Sequence, residues 1–105
     1  TFSKQGAVVS DGFRVLTSVR EAGDEPMLHA RALPGVAVLI GRDRVRMAQQ
    51  ARDELGAEII ILDDAFQFWS LAHDLNLVLL DARQPFGNGR LLPCGRLREE
   101  PQALE

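Results

Sequence analysis

The chain has 105 residues, of which 46% are apolar, so it can build at most one small globular domain. A formal net charge of -3 and scattered arginines give it no basic surface, which argues against nucleic acid as a partner. The single cysteine, Cys94, excludes an internal disulfide, and no Cys/His cluster has the spacing of zinc ligands.

The first third of the chain predicts a hairpin followed by a helix. Asp11-Gly12 stands between the apolar runs 7–9 and 14–16, and this dipeptide is typical of a tight turn between paired strands. Acidic residues and a proline then begin an apolar-periodic segment after Asp24, which predicts a helix from about Glu25 to Leu33. The residues alone favour a helix-capping role for Asp24.

A second strand and a second helix follow. Residues 36–40 are apolar without interruption, as in a strand that is buried on both faces. Apolar residues then recur at helical spacing over residues 45–55. Asp43 is the predicted N-cap of this helix, and Gly56 is its natural C-terminal stop.

An apolar run that ends in two adjacent carboxylates is the most informative feature of the sequence. Residues 59–62 predict a third buried strand, and Asp63 and Asp64 follow at its carboxyl end. Ligands of parallel sheets bind at that edge, where a carboxylate can hold Mg²⁺ beside a nucleotide phosphate. A cap on the next segment and plain solvation explain the pair equally well. A further apolar run, 77–80, ends in Asp81, for which a turn-forming role is favoured.

This alternation of strands and helices predicts an α/β fold with a mostly parallel sheet and flanking helices. Gly87-Asn88-Gly89 is interpreted as a tight turn. Arg42 and Arg44 either meet a substrate phosphate or are solvated. His29 has no partner at motif spacing and is interpreted as structural or exposed.

Short strings along the chain become recognisable when they are taken together. Eight of them occur in this order: Val9-Ser10-Asp11-Gly12, Gly23-Asp24-Glu25-Pro26, Gly41-Arg42-Asp43-Arg44, Ile61-Leu62-Asp63-Asp64-Ala65-Phe66-Gln67, Asp74-Leu75, Asp81-Ala82, Pro85-Phe86-Gly87-Asn88-Gly89-Arg90-Leu91-Leu92-Pro93 and Leu97-Arg98-Glu99. Over essentially the whole chain they closely resemble the tetraacyldisaccharide 4'-kinases of lipid A biosynthesis. Each string alone is weak, whereas eight in order are specific.

The resemblance implies a kinase that depends on ATP and Mg²⁺. Such an enzyme phosphorylates the 4'-hydroxyl of a tetraacyldisaccharide 1-phosphate, so its partners are ATP and a lipid disaccharide rather than nucleic acid. It works at the cytoplasmic face of the bacterial inner membrane, which it contacts peripherally, here through parts outside this chain. The implied fold is similar to that of P-loop NTPases, with a smaller second domain after the segment seen here.

The resemblance also implies roles for particular residues. Asp24 is expected to be the catalytic carboxylate that helps deprotonate the acceptor hydroxyl, and with the resemblance this role is favoured over capping. The other implied positions surround the metal and the nucleotide: Asp63, Asp64 and Glu99 at Mg²⁺, and Gln67 and Arg98 near the phosphates.

The sequence departs from the family pattern in two places. The usual Leu-Arg-Glu-Pro is extended by Glu100, so Glu99 and Glu100 both stay open for the metal-facing place. The usual Gly-Phe-Gln-His-Arg after the acidic pair is here Ala65-Phe66-Gln67-Phe68-Trp69, whose aromatic residues are interpreted as a core anchor.

A Gly-rich phosphate loop with Lys and Ser/Thr does not occur, because the only lysine is Lys4. We therefore expect residues 1–105 to be a single partial domain, an internal piece without the phosphate loop and the C-terminal domain, and inactive alone. Two alternatives from other classes are a receiver-like signalling domain and a non-catalytic α/β binding module.

Overall fold

A computed structural model describes residues 6–104 of the chain. The chain divides into two compact units, Thr1–Ala72 and His73–Glu105. The expectation of one partial domain stays a prediction. None of the helices within residues 6–104 is long and apolar enough to cross a membrane.

The first unit contains a two-stranded antiparallel sheet. Strand β1 (Ala7–Asp11) pairs with strand β2 (Ala37–Ile40), with Ala7 opposite Ile40 and Asp11 opposite Ala37. The α/β class is confirmed, whereas the only sheet in the described residues is antiparallel. The predicted parallel sheet is not shown here.

A turn at the end of β1 confirms the predicted hairpin in part. The Asp11 carboxylate accepts hydrogen bonds from the backbone N–H groups of Phe13 at 2.8 Å and Arg14 at 2.7 Å. These hydrogen bonds hold the pKa of Asp11 below its ordinary value, and the bond from Arg14 has the largest effect. The returning arm forms an isolated antiparallel bridge between Ser10 and Val15 rather than a strand, and the Leu16 N–H donates to the Val9 carbonyl at 2.8 Å.

Two helices cover this sheet from the first half of the chain. Helix α1 (Val19–Ala22) is a single turn, and helix α2 (Asp24–Ala32) confirms the predicted helix to within one residue at each end. Their buried side chains form a small core with β1 and β2. Its members are Val9, Ala22, Met27 and Ala30, with Val38 and Ile40 packed against them.

Helix α3 (Arg44–Leu55) has the predicted ends. The Asp43 carboxylate accepts a hydrogen bond from the Arg46 N–H at 3.0 Å, so Asp43 is the N-cap. Gly56 ends the helix in the left-handed conformation at φ 67°, which glycine adopts without steric cost.

The two later apolar runs are not strands in this structure. Ile59 and Ile61 are 83% and 88% exposed, and Leu79 in the run 77–80 is 99% exposed. The prediction of buried strands at 59–62 and 77–80 is therefore wrong here. The physical reason is that a strand needs a paired neighbour for its backbone groups, and the one sheet of the described residues contains only β1 and β2.

The second unit consists mainly of turns. The Asp81 carboxylate accepts from the Arg83 N–H at 2.8 Å, which confirms its turn-forming role. Gly87 and Gly89 have positive φ on either side of Asn88, and the Gly89 N–H donates to the Phe86 carbonyl at 2.9 Å, so the tight turn is also confirmed. A 3₁₀ helix (Pro101–Leu104) follows.

The Asp43 cap yields a prediction about helix α3. Asp43→Ala removes the acceptor of the Arg46 N–H, and an N-cap of this type contributes about 1 kcal/mol. We expect the Arg46 amide to exchange with solvent about fivefold faster in the complete protein. Asp53→Ala is the matched control, because Asp53 forms only an exposed ion pair with Arg52. Equal exchange rates in the parent and Asp43→Ala would contradict the cap.

Candidate functional site

Asp24 is the first residue of α2 and is exposed to solvent. The residue before it, Gly23, is the N-cap, with φ 91° and no side chain to offer. The capping role favoured by the residues alone is therefore wrong, because Asp24 already has helical geometry. The free N–H groups and the positive end of the helix dipole lie at this turn.

Asp63 lies beside the first turns of α2. A carboxylate oxygen of Asp63, one of Glu25 and a ring nitrogen of His29 lie within 4.8 Å of one another. All three side chains are exposed. Because Glu25 and His29 are four residues apart in a helix, they project from the same face, and Asp63 meets that face from the loop.

Asp64 plays a different part from Asp63. Its backbone has φ 46°, in the left-handed region, where aspartate is one of the few tolerated residues. The Asp64 carbonyl oxygen accepts a hydrogen bond from Nη1 of Arg44 at 3.1 Å. The Arg44 guanidinium also lies 5.4 Å from the ring centroid of Phe68, within cation–π range. Arg44 therefore ties the start of α3 to the loop after Asp63.

The aromatic stretch after the acidic pair is anchored in part. The Phe68 N–H donates to the Ala65 carbonyl at 2.8 Å, which closes a turn over Phe66 and Gln67. Ala65 is buried, and Phe66, Gln67 and Phe68 are half-buried. Trp69 is 78% exposed, so the interpretation of the aromatic residues as a core anchor is wrong for Trp69. The role of Gln67 near the phosphates stays a prediction.

Arg98 and Glu99 belong to the second unit. They follow Leu97, whose N–H donates to the Arg90 carbonyl at 3.2 Å and whose own carbonyl accepts from the Leu92 N–H at 2.9 Å. Arg98 is exposed and Glu99 is half-buried, whereas Glu100 is exposed. The placement of Arg98 near the phosphates and of Glu99 at Mg²⁺ stays a prediction.

Two residues of this cluster, Glu25 and His29, had no site role in the sequence analysis. His29 is exposed, as one of its two interpretations had it, and it has Glu25 and Asp63 as neighbours. The sequence did contain a signal for the proximity of Glu25 and His29, because residues four apart in a helix project from the same face. Their approach to Asp63 is a tertiary contact that no local pattern contains.

An α/β unit that gathers exposed carboxylates beside a helix N-terminus is the kind of unit with which phosphate-transferring enzymes hold a divalent cation. The sequence model of the family described as tetraacyldisaccharide-1-P 4'-kinase matches residues 3–105. The chain belongs to this family, and the resemblance found in its sequence is confirmed.

Individual relatives agree with the family model. The chain is 57% identical over 97 residues to the tetraacyldisaccharide 4'-kinase of Anaeromyxobacter dehalogenans, which covers 92% of the chain and 26% of that protein. The chain is 50% identical over 99 residues to the tetraacyldisaccharide 4'-kinase of Desulfatibacillum aliphaticivorans, a match that covers 94% of the chain and 27% of that protein. The chain is 47% identical over 102 residues to the tetraacyldisaccharide 4'-kinase of Halothermothrix orenii, a match that covers 97% of the chain and 27% of that protein. The chain thus spans about a quarter of the length of these relatives. No solved structure matches it.

The contact between Arg44 and the Asp64 carbonyl yields a prediction about the acidic loop. Arg44→Gln removes both the guanidinium donor and the cation over Phe68, interactions that together contribute about 1–2 kcal/mol. We expect the Phe68 amide, which closes the turn, to exchange several times faster in the complete protein. Arg52→Gln is the control, since Arg52 contacts its exposed neighbour Asp53. An equal effect of Arg44→Gln and Arg52→Gln on the exchange rate of the Phe68 amide would contradict the role of Arg44 in holding the loop.

Proposed function

We propose that the complete protein carrying this chain transfers the γ-phosphoryl group of ATP to the 4'-hydroxyl of a tetraacyldisaccharide 1-phosphate in lipid A biosynthesis. Membership of the kinase family supports the reaction class. The single structural observation that carries the proposal is the approach of Asp63 to the first turns of α2, the helix that begins at Asp24. A metal-facing carboxylate and a candidate base thereby lie at the same end of one helix.

The donor set on the first unit fits Mg²⁺. This ion prefers oxygen ligands and is usually held by one or two carboxylates together with water and substrate phosphates. Asp63 and Glu25 offer exposed carboxylate oxygens close to each other. Asp63 would therefore hold the ion, with Glu25 beside it. The role of Glu99 at Mg²⁺ is proposed from the family resemblance alone. When bound, Mg²⁺ neutralises charge on the phosphates of ATP.

Asp24 would act on the acceptor. Its exposed carboxylate can accept the proton of the 4'-hydroxyl as that oxygen forms its bond to phosphorus. A carboxylate is a weak base, but phosphoryl transfer depends mainly on positioning and charge neutralisation, so a weak base suffices.

The nucleotide phosphates need donors and positive charge. We assign these to Gln67 and Arg98, because an amide N–H and a guanidinium both donate to phosphate oxygens. The remaining proposals follow from the family: a P-loop NTPase-like domain with a mostly parallel sheet, and a place at the cytoplasmic face of the bacterial inner membrane. The inactivity of the 105-residue chain alone stays a prediction.

The receiver-like alternative has little support. Such a module needs a strand that ends at the acidic pair and a helix that crosses back from it. The structure has neither a strand at 59–62 nor a helix over 64–100. A non-catalytic module would share the family fold without turnover, so the activity of the parent protein separates the two remaining functions, and Asp24→Asn then tests the role of that residue.

Asp24→Asn in the complete protein tests the catalytic role. The change removes the proton acceptor at constant shape, so turnover of the disaccharide should fall by about 10²- to 10⁴-fold, the range typical of a lost acid–base group. The melting temperature should stay close to that of the parent, because the Asp24 side chain is exposed. Asp53→Asn on α3 is the control for removing an exposed negative charge. Near-normal turnover with Asp24→Asn would contradict the catalytic role of Asp24, whereas a parent protein without turnover would favour a non-catalytic module.

The different positions of Asp63 and Asp64 yield a prediction about Mg²⁺. Asp63→Asn should raise the Mg²⁺ concentration for half-maximal activity several-fold, because it replaces the carboxylate near Glu25 with a neutral amide. Asp64→Asn should leave that concentration nearly unchanged, since asparagine also tolerates the left-handed backbone. The measurement is a Mg²⁺ titration of activity for both variants. A larger shift with Asp64→Asn than with Asp63→Asn would reverse the assignment.

A further inference from the structure

The ring nitrogen of His29 has no place in the proposed kinase reaction, although it lies in the same cluster as Asp63. The ligand atoms of Glu25, His29 and Asp63 are all within 4.8 Å of one another. Ligands of one tetrahedral Zn²⁺ ion, at bond lengths of about 2.1 Å, lie about 3.4 Å apart. Each exposed side chain therefore needs to move by only about an ångström to share one ion.

The kind of ion follows from the donors. Mg²⁺ takes oxygen ligands, whereas an imidazole nitrogen suits Zn²⁺ and Co²⁺. Two carboxylates balance the charge of a divalent ion, and one imidazole supplies the nitrogen. Three protein ligands leave a position open for water. The carboxylates of Glu25 and Asp63 suit Mg²⁺, and the set that also includes the imidazole of His29 suits a transition-metal ion.

The frame that carries these ligands is held in place. Glu25 and His29 lie on α2, whose opposite face is fixed by the buried side chains of Met27 and Ala30. Asp63 precedes Asp64, whose carbonyl is held by Arg44. Ligands on a packed helix and on a fastened loop lose less conformational entropy when an ion binds.

We propose that Glu25, His29 and Asp63 bind a zinc-like transition-metal ion, with the imidazole of His29 as the ligand that separates this site from a Mg²⁺ site. The binding itself does not depend on the kinase proposal. One consequence does rest on it: zinc at Asp63 excludes Mg²⁺ from the same carboxylate, so micromolar Zn²⁺ inhibits the kinase in competition with Mg²⁺.

The test is a calorimetric titration of the complete protein with Zn²⁺. All variants carry Cys94→Ser, because an exposed thiol is itself a zinc ligand. His29→Gln should weaken the binding by at least about tenfold, the loss seen for metal-site residues even outside the first coordination shell. Glu25→Gln should weaken it as well. His73→Gln is the matched control, since His73 is the other histidine of the chain and lies in the second unit.

The outcomes separate this proposal from the proposed function. Equal Zn²⁺ affinity in the parent and in His29→Gln, with unchanged melting temperature, would overturn the site. Weaker Zn²⁺ binding in His29→Gln together with an unchanged Mg²⁺ requirement for activity supports it. If Asp63→Asn weakens Zn²⁺ binding but leaves the Mg²⁺ requirement unchanged, the zinc site stands and the magnesium role of Asp63 fails.

Discussion

The burial of one face of α2 is the constraint on which the site depends. Met27 and Ala30 are 3% and 9% exposed and pack with Val9 of β1, which is fully buried. Burying a side chain such as Met27 contributes about 1.5–3 kcal/mol, enough to fix the rotation of a nine-residue helix about its axis. With that face buried, the helical repeat leaves Asp24, Glu25 and His29 in solvent at positions set by the core.

The acidic loop is held by a different element. Arg44 begins α3 and donates to the Asp64 carbonyl, so the position of the loop depends on the start of the next helix along the fold. This arrangement divides the two aspartates between two tasks. Asp64 shapes the loop through its left-handed backbone, and the Asp63 carboxylate meets α2. Adjacent residues of the same type therefore differ in function because their backbones differ.

Local signals in the sequence predicted helices α2 and α3 well, whereas the single turn α1 was not predicted. The N-cap Asp43 and the stop Gly56 define α3 through bonds within a few residues, and the acidic first turn defines α2. Strand pairing is non-local, so the apolar run 59–62 looks like a buried strand in sequence and is exposed in the structure. The proximity of Asp63 to His29 is also non-local, because it depends on how α2 packs, so the sequence did not predict it. The family resemblance rested on short strings and needed no tertiary structure.

The central claim is that Asp63, rather than Asp64, faces the metal at the first turns of α2. The most direct test is a crystal structure of the complete protein with an ATP analogue and Mn²⁺ in place of Mg²⁺, because Mn²⁺ is located by its anomalous scattering. We expect the Mn²⁺ signal beside the Asp63 carboxylate, in direct contact or through one water, with Glu25 adjacent. A signal that contacts Asp64 and leaves Asp63 outside the ion's water shell would contradict the account.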